Sequence, residues 1–267
     1  MNILGINIKC LSYSDMYPII DGWLEDKSRR SFAFAVINVH ICVSALLNKK
    51  LRDMYNAVDL ASIDSMPFLF WARAFYHKKS DRFYAPDLML EISSRVKEKK
   101  YTYFLYGGYP EEPGEIDRFL SEKFEGINII GSYSPPFREL TPAEDEELCR
   151  QINSLSPDII WIGLGSPKQD VWIHEHLERI RGSILIPSGA TFDFFGGRIK
   201  QAPLWIQRSG FEWLFRLTQD FRRLFKRYTL YNIIFIFFFV LQQLRIVRFD
   251  NEGFLRILGR RTRFGNG

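Results

Sequence analysis

Cysteine is scarce: Cys10, Cys42 and Cys149 are the only three in 267 residues. Their number is odd, their spacing is wide and no Cys-x-x-Cys occurs, which argues against a disulfide framework and against a zinc site. Three reduced, mostly buried thiols in a cytosolic protein is the expectation. GxSxG, HExxH and GxxxxGK[ST] are missing too, so a nucleophile-elbow hydrolase, a zinc protease and a Walker-type phosphate loop are excluded. No internal repeat is visible. The first eighteen residues lack a basic segment followed by a long apolar core, and do not read as a signal peptide. No uncharged apolar run comfortably reaches the roughly 20 residues of a membrane span. The longest, 228–244, contains Asn232, Gln242 and Gln243 and reads as an interfacial or oligomer-packed helix.

Aromatic residues and basic charge, in contrast, are plentiful. Aromatics make up 16% of the chain, with 24 Phe, and 46% of it is hydrophobic. That suffices for one large α/β domain plus an appendage. The charge is uneven. Residues 198–267 hold 14 Lys and Arg against 4 Asp and Glu, a net of +10 in a chain whose total is +5, which leaves residues 1–197 at −5. An acidic body with a basic tail points to anionic lipid, nucleic acid or phosphorylated ligands as partners of the tail.

Apolar runs alternate with helical patterns. Strands are expected at 32–39, 59–63, 101–106, 127–130, 158–162 and 184–186. Helices are expected at 41–55, 66–76, 87–99, 115–124, 142–155, from Pro167 to about 180, and over 203–228. Thr141-Pro142-Ala143-Glu144 is a capping box with Pro at the first helical position. Strands that are apolar throughout imply a parallel sheet covered on both faces, a Rossmann-like α/β fold. Ligands of such sheets sit at the carboxyl ends of the strands. Asp64, Gly107-Gly108, Gly163-Leu164-Gly165 and Ser188-Gly189 all fall there. The division expected is an α/β domain over 1–200 and a helical, basic appendage over 201–267.

Gly163-Leu164-Gly165-Ser166-Pro167-Lys168 sits between a strand and a helix, as a dinucleotide fingerprint would. Lys168 stands where the third glycine belongs, and no acidic residue ends the next strand, so a nicotinamide-dependent oxidoreductase is the weaker reading. What remains is a glycine turn at a helix N-terminus with a lysine on its first turn, suited to an anion such as a diphosphate, or simply a tight turn. Asp64 at a strand end suits a general base, or equally an N-cap. The chain has no Asp-x-Asp, a pair that many nucleotide-sugar transferases use to hold a metal. Cations would have to stabilise a leaving diphosphate instead. Arg216, Arg223 and Arg227 share one helical face, with Asp220 among them, and bulky apolar residues occupy the other. His174 and His176, two apart on a helix, diverge and read as surface residues. The tail's arginines alternate with bulky apolar residues, which disfavours nucleic acid.

Several stretches in order resemble the WecG/TagA/CpsF glycosyltransferase family. They are Gly163 to Trp172, Gly189-Ala190-Thr191-Phe192-Asp193-Phe194-Phe195-Gly196-Gly197-Arg198, Gln201-Ala202-Pro203-Leu204-Trp205, Gly210-Phe211-Glu212-Trp213-Leu214-Phe215-Arg216-Leu217, then Arg222-Arg223-Leu224 and Arg227-Tyr228. Upstream, Asp81-Arg82, Pro86-Asp87-Leu88-Met89, Phe104-Leu105-Tyr106-Gly107-Gly108 and Gly131-Ser132-Tyr133-Ser134-Pro135-Pro136-Phe137 fit as well. The resemblance implies a peripheral, inverting, metal-independent transferase on the cytoplasmic face of the membrane, with no cofactor. Its donor would be a UDP-sugar of the N-acetylmannosamine type or another UDP-hexose, and its acceptor a polyprenyl-diphosphate-linked saccharide. It places the base on Asp64 and neighbouring binding residues on Asn38, Arg82 and Gln169. Gly107, Gly108, Gly163, Gly165 and Lys168 would cradle the diphosphate, Tyr133 would stack on uracil and Asp193 would hold sugar hydroxyls. Arg198, Arg216, Arg222, Arg223 and Arg227 would meet diphosphate or the anionic membrane surface. The chain departs from the family pattern at Val36, where Thr is frequent, at Ser65, where Gly follows the aspartate, and at Ala85-Pro86. A non-catalytic scaffold of an exopolysaccharide complex is the alternative reading, and a second copy of the chain is a further partner to test.

Overall fold

In the computed structural model, everything is described except residues 27, 29, 77–78, 220, 250–254, 258–259 and 263–267, and the side chains of 223, 226, 227 and of the strands after 254. The chain starts with a hairpin, β1 (Asn2–Ile3) and β2 (Ile6–Asn7), that turns at Leu4-Gly5, both at positive φ. Then α1 (Tyr13–Leu24) begins at a capping box, in which the Ser12 hydroxyl accepts from the Asp15 N–H and the Asp15 carboxylate accepts from the Ser12 N–H. No element was expected at either place. The strands of the hairpin are too short to show a period, and Pro18 inside α1 interrupts a helical pattern.

The expected strands all form: β3 (Phe32–Ile37), β4 (Leu60–Ile63), β5 (Thr102–Gly107), β6 (Asn128–Tyr133), β7 (Ile159–Gly163) and β8 (Ile184–Pro187). They make one all-parallel sheet in the order β4-β3-β8-β7-β5-β6. Every residue of β3, β4 and β8 is buried, as in a sheet covered on both faces.

The helices differ from expectation mainly in their breaks. The run 41–55 is two helices, α2 (Val39–Leu47) and α3 (Lys49–Ala57). Asn48 between them is extended (φ −136°, ψ 109°), and its side chain accepts from the Leu51 N–H at 3.2 Å, so it stops one helix and caps the next. α4 (Met66–Tyr76) and α8 (Pro142–Leu155) match expectation, the latter with its Thr141–Glu144 capping box closed. The run 87–99 divides into α5 (Ala85–Ser93) and α6 (Val96–Lys99). Two helices flank strands: α7 (Glu112–Lys123) before β6 and α9 (Lys168–His176) after β7, which ends short of the expected 180. A short α10 (Thr191–Phe195) follows β8.

Beyond it come α11 (Leu204–Ser209), α12 (Glu212–Gln219) and the long α13 (Phe221–Gln243). Gly210 at φ +86° breaks what was expected as one helix, and α13 runs straight through Tyr228. Three short strands, β9 (Val247–Phe249), β10 (Leu255–Ile257) and β11 (Arg260–Thr262), form an antiparallel sheet after it.

Three apolar clusters cover the sheet. The first joins α1, α5, α7 and α10 to Phe34, Tyr103, Leu105 and Trp161 of the strands. The second joins the hairpin, α2, α3 and α4, and includes Phe235 of α13. The third lies under α8 and α9. α13 therefore packs against the body: Phe235 meets Phe68 at 5.3 Å and Phe239 meets Trp71 edge-on at 5.0 Å. Gln242 accepts from the Leu4 N–H at 3.0 Å and donates to the Asn2 carbonyl at 3.2 Å. Cys10, Cys42 and Cys149 are free thiols. Among the described residues, no helix is long and apolar enough to cross a membrane.

Candidate active site

Parallel pairing brings the loops after all six strands to one edge. The connection leaving β5 runs to β6 on one side, and that leaving β7 runs to β8 on the other. The connections thus run to opposite sides from β5 and β7, and doubly wound sheets open a crevice at such a point. The two strands end in glycines for a packing reason. A Cβ on Gly107 would lie 2.6 Å from the Gly163 main chain, and one on Gly163 would lie 2.5 Å from the Phe192 ring. Gly108 is similarly walled by Glu112 and Phe192. Gly165, at φ +75°, faces open space instead, so among these glycines it leaves its backbone approachable. α9 starts three residues later with no side-chain cap, and Lys168 is exposed on its first turn. The Gln169 N–H meets the Gly165 carbonyl and those of Asp170 and Val171 meet the Pro167 carbonyl, so what this end offers an anion is the helix dipole and the Lys168 charge rather than free amides.

Gln169 is buried, and its Oε1 accepts from the N–H groups of Gly165 (3.1 Å) and Gly189 (3.0 Å). One side chain thus ties the loop after β7 to the loop after β8. Its neighbour Asp170 is buried too and accepts from the Ser166 hydroxyl at 2.5 Å. Burial pushes the Asp170 carboxyl up to about 6.

At the other end of the sheet Asp64 follows β4. Asn38, which follows β3, has a double duty: its Oδ1 caps α2 through the Ile41 N–H (3.1 Å) and its Nδ2 donates to Asp64 Oδ2 (3.1 Å). The other oxygen, Asp64 Oδ1, is buried with no hydrogen-bond partner among the described residues. The carboxylate therefore does not cap α4. Ser65, in the place of the family's frequent glycine, accepts from the Val39 N–H through its hydroxyl at 3.3 Å. Val36 is buried within β3, and Ala85-Pro86 opens α5. Arg82 wraps the Asp64 backbone: its Nε donates to the Asp64 carbonyl at 2.6 Å, and its guanidinium lies over the Tyr84 ring at 4.2 Å. Arg82 Nη2 stands 3.9 Å from Asp64 Oδ1. Burial pushes Asp64 up to about 6, against the pull of Arg82 and of the Asn38 hydrogen bond.

Sequence reasoning gave Glu212 no role in the site. From the first turn of α12 it accepts from Arg82 Nη2 at 2.6 Å, and Arg82 Nη1 donates to the Gln207 carbonyl at 3.4 Å. An acidic residue in a first helical turn reads as a partner of the helix dipole. Its real partner is 130 residues away, and only the fold shows it. Arg216, one turn on, lowers the proton affinity of Asp64 through its charge and faces the Phe194 ring at 5.7 Å.

A third group lies beside Gly108. Arg198 pairs with Asp193 and with the buried Glu112 (Nε to Oε1, 3.1 Å), and lies over the Tyr109 ring at 4.4 Å. Tyr133, at the end of the edge strand β6, stacks on Tyr106 at 6.2 Å. The fold thus gathers Asp64, Asn38 and Arg82 at one end of the strand edge. It gathers Gly107, Gly108, Gly163, Gly165, Gln169, Asp193 and Arg198 at the other, with Lys168 exposed beside them. β4 and β7 are three strand spacings apart, about 14 Å. Arg222 is exposed on α13, and the Arg223 and Arg227 side chains lie outside those described.

One expectation fails. His174 is exposed as foreseen, but His176 is buried. Its Nδ1 meets the Trp172 carbonyl and its Nε2 meets Asp145 Oδ1, both at 2.8 Å. Among the described residues Asp145, Cys149 and His176 bring three donor atoms within 4.8 Å of one another. The Arg179 guanidinium already holds Asp145 at 2.5 Å and lies 3.1 Å from His176 Nε2, so a cation occupies the centre of the group. The cluster is an ion-pair network that fastens α8 to α9. The divergence of residues two apart on a helix says nothing about which of them faces the core.

The all-parallel α/β fold agrees with a sequence-level match: the model of the Glycosyl transferase WecG/TagA/CpsF family covers residues 1–248, and the chain belongs to that family of transferases, which act in cell-surface polysaccharide synthesis.

Proposed function

We propose that this chain is an inverting, metal-independent glycosyltransferase. It moves a hexose or N-acetylhexosamine, with N-acetylmannosamine as the leading case, from a UDP-sugar to a polyprenyl-diphosphate-linked saccharide on the cytoplasmic face of the membrane. The observation that carries the reading is Asp64: a carboxylate at a strand end, half-buried, with one oxygen uncommitted, and raised to about 6. A base of that strength is ionised at neutral pH and still holds a proton well once it takes one. Asp64 removes the proton of an acceptor hydroxyl. The oxygen forms its bond to the anomeric carbon as the bond from that carbon to the diphosphate oxygen breaks, and UDP leaves with the electron pair from the opposite face. The N-terminus of α9, the Gly165 backbone, Lys168, Arg198 and Arg216 are the groups that would meet the diphosphate charge. Tyr133 would back the uracil, and Asp193 and Gln169 would border the sugar.

The exposed apolar side of α13 supports attachment to the bilayer surface. Leu230, Ile233, Phe237, Val240 and Leu244 recur at helical spacing and are all exposed, while Phe235 and Gln242 on the opposite side bind the body. Arg222 is exposed on the first turn of the same helix. A helix with one apolar face and basic neighbours lies in the interface rather than across it.

The test of the reaction is a transfer assay with a synthetic N-acetylglucosamine-diphosphate-lipid, no added metal and a panel of UDP-sugars, scoring UDP release and product mass. Turnover with one donor is the expected result. UDP binding without turnover would favour the scaffold reading, and no binding of any UDP-sugar would end the proposal.

A further inference from the structure

We infer that Glu212 is a positioning residue for the transfer reaction: by engaging Arg82 it keeps the guanidinium off the Asp64 carboxylate, so that Asp64 stays free to accept a proton. This rests on the reading of Asp64 as the base.

The geometry is that of a competition for one cation. Arg82 has donors directed at the Asp64 carbonyl (Nε, 2.6 Å), the Gln207 carbonyl (Nη1, 3.4 Å) and Glu212 Oε2 (Nη2, 2.6 Å). The same Nη2 is 3.9 Å from Asp64 Oδ1, beyond hydrogen-bond reach. Glu212, Arg82 and Asp64 are all largely enclosed, with side-chain exposures of 10%, 16% and 17%. In such a place a charge left without its partner seeks another. Once Glu212 loses its charge, the nearest carboxylate left for Nη2 is Asp64 Oδ1, and a charge-assisted bond there would hold that carboxylate ionised and weaken it as a base. The other charged or titratable groups around Asp64 and Arg82 are Tyr13, whose hydroxyl donates to the Arg82 carbonyl, its neighbour Asp81, Tyr84 beneath the guanidinium, Asp87 on α5, Arg208 on α11 and Arg216 on α12. His40, next to Asn38, stacks on Tyr231 of α13. Because Glu212 belongs to α12, the strength of the base on β4 depends on a helix far along the chain being seated.

The experiment is a pH–rate profile of the full-length protein with UDP-N-acetylmannosamine and N-acetylglucosamine-diphosphate-lipid, for wild type, Glu212→Gln, Glu212→Asp, Asp64→Asn and Asp87→Asn. The acidic limb of kcat/KM is expected near 6 in wild type and in Asp87→Asn, and about one unit or more lower in Glu212→Gln, with a several-fold lower plateau and little change in KM. Should the Gln variant fold poorly, Glu212→Asp is the decisive variant, with a smaller shift in the same direction. A limb that stays at its wild-type position overturns the inference. Wild-type turnover in Asp64→Asn would sink the base reading and this inference with it. Loss of turnover in Asp64→Asn together with an unmoved limb in Glu212→Gln would sink this inference alone. A readout independent of turnover uses melting temperature between pH 7.5 and 5. Glu212→Gln is expected to flatten its rise on acidification, and to have no further effect in an Asp64→Asn background. Equal flattening in both backgrounds would overturn the inference.

Discussion

Two aspartates lie along the edge where the strands end, the half-buried Asp64 after β4 and the buried Asp170 in α9 after β7, and desolvation raises both to about 6. They are not equivalent. Asp170 receives a 2.5 Å hydrogen bond from the Ser166 hydroxyl beneath its own loop. Asp64 has Asn38 on one oxygen and, among the described residues, no hydrogen bond on the other, with Arg82 held just beyond hydrogen-bond range. A raised proton affinity alone therefore does not mark a base. What distinguishes Asp64 is an uncommitted oxygen at the sheet edge, whereas Asp170 has the bonding of a brace.

The comparison breaks most decisively under direct substitution. Asp64→Asn is expected to lower turnover by about 10²–10⁴-fold, the usual contribution of a general base. Asp170→Asn should cost far less in kcat. Rates of UDP release for the two variants decide it, and equal losses would erase the distinction. The next effect is on stability. A carboxyl whose folded pKa exceeds its unfolded value opposes folding while it is ionised, so the cost is fully present above about 6 and fades as pH falls toward the unfolded value of 3.8. Melting temperature should rise from pH 7.5 to 5. Asp64→Asn should melt higher than wild type at pH 7.5, by the equivalent of about 1–3 kcal/mol. Gln169→Ala releases the Gly165 and Gly189 amides from their shared acceptor. It should destabilise by about 1–3 kcal/mol in chemical denaturation and raise the KM for the donor. Charges on the exposed side of α13, Ile233→Glu with Val240→Glu, should abolish flotation with anionic vesicles and leave the melting temperature within a few degrees. The smallest effect on turnover is expected from His176→Phe, whose ring bonds to neither aspartate. It breaks the link from α8 to α9, lowers stability by about 1–2 kcal/mol and leaves the transfer rate near wild type.

What the sequence made legible follows from locality. Six apolar runs and the Thr141 capping box state their structure within a few residues, and β3 to β8 and α8 form where they read. Asp64, Asn38 and Arg82 could be placed through family resemblance, and the structure adds why they meet: β3 and β4 are neighbours in the sheet, and Arg82 reaches back across the Asp64 carbonyl. The rest depended on contacts between distant residues. Asn48 breaks a helical pattern because its side chain prefers to cap. His176 is buried because the Trp172 carbonyl and Asp145 satisfy its two ring nitrogens. Gly107 and Gly163 looked like ligand-facing glycines, but each makes room for a neighbour. Glu212 has no local mark of its pairing with Arg82, since charge on a helix's first turn is ordinary.

The link between Gln242 and the N-terminal hairpin bears on how this protein is made. A ribosome delivers the chain from its N-terminus, and domains begin to fold as they emerge. The Leu4 N–H and the pocket around Phe68 then emerge well before their partners Gln242 and Phe235. Such long-range closure is slow compared with local folding. The nascent body must wait with its hairpin uncovered, and the side of α13 that faces away from the body is displayed in a fixed orientation only after α13 itself has been made and seated.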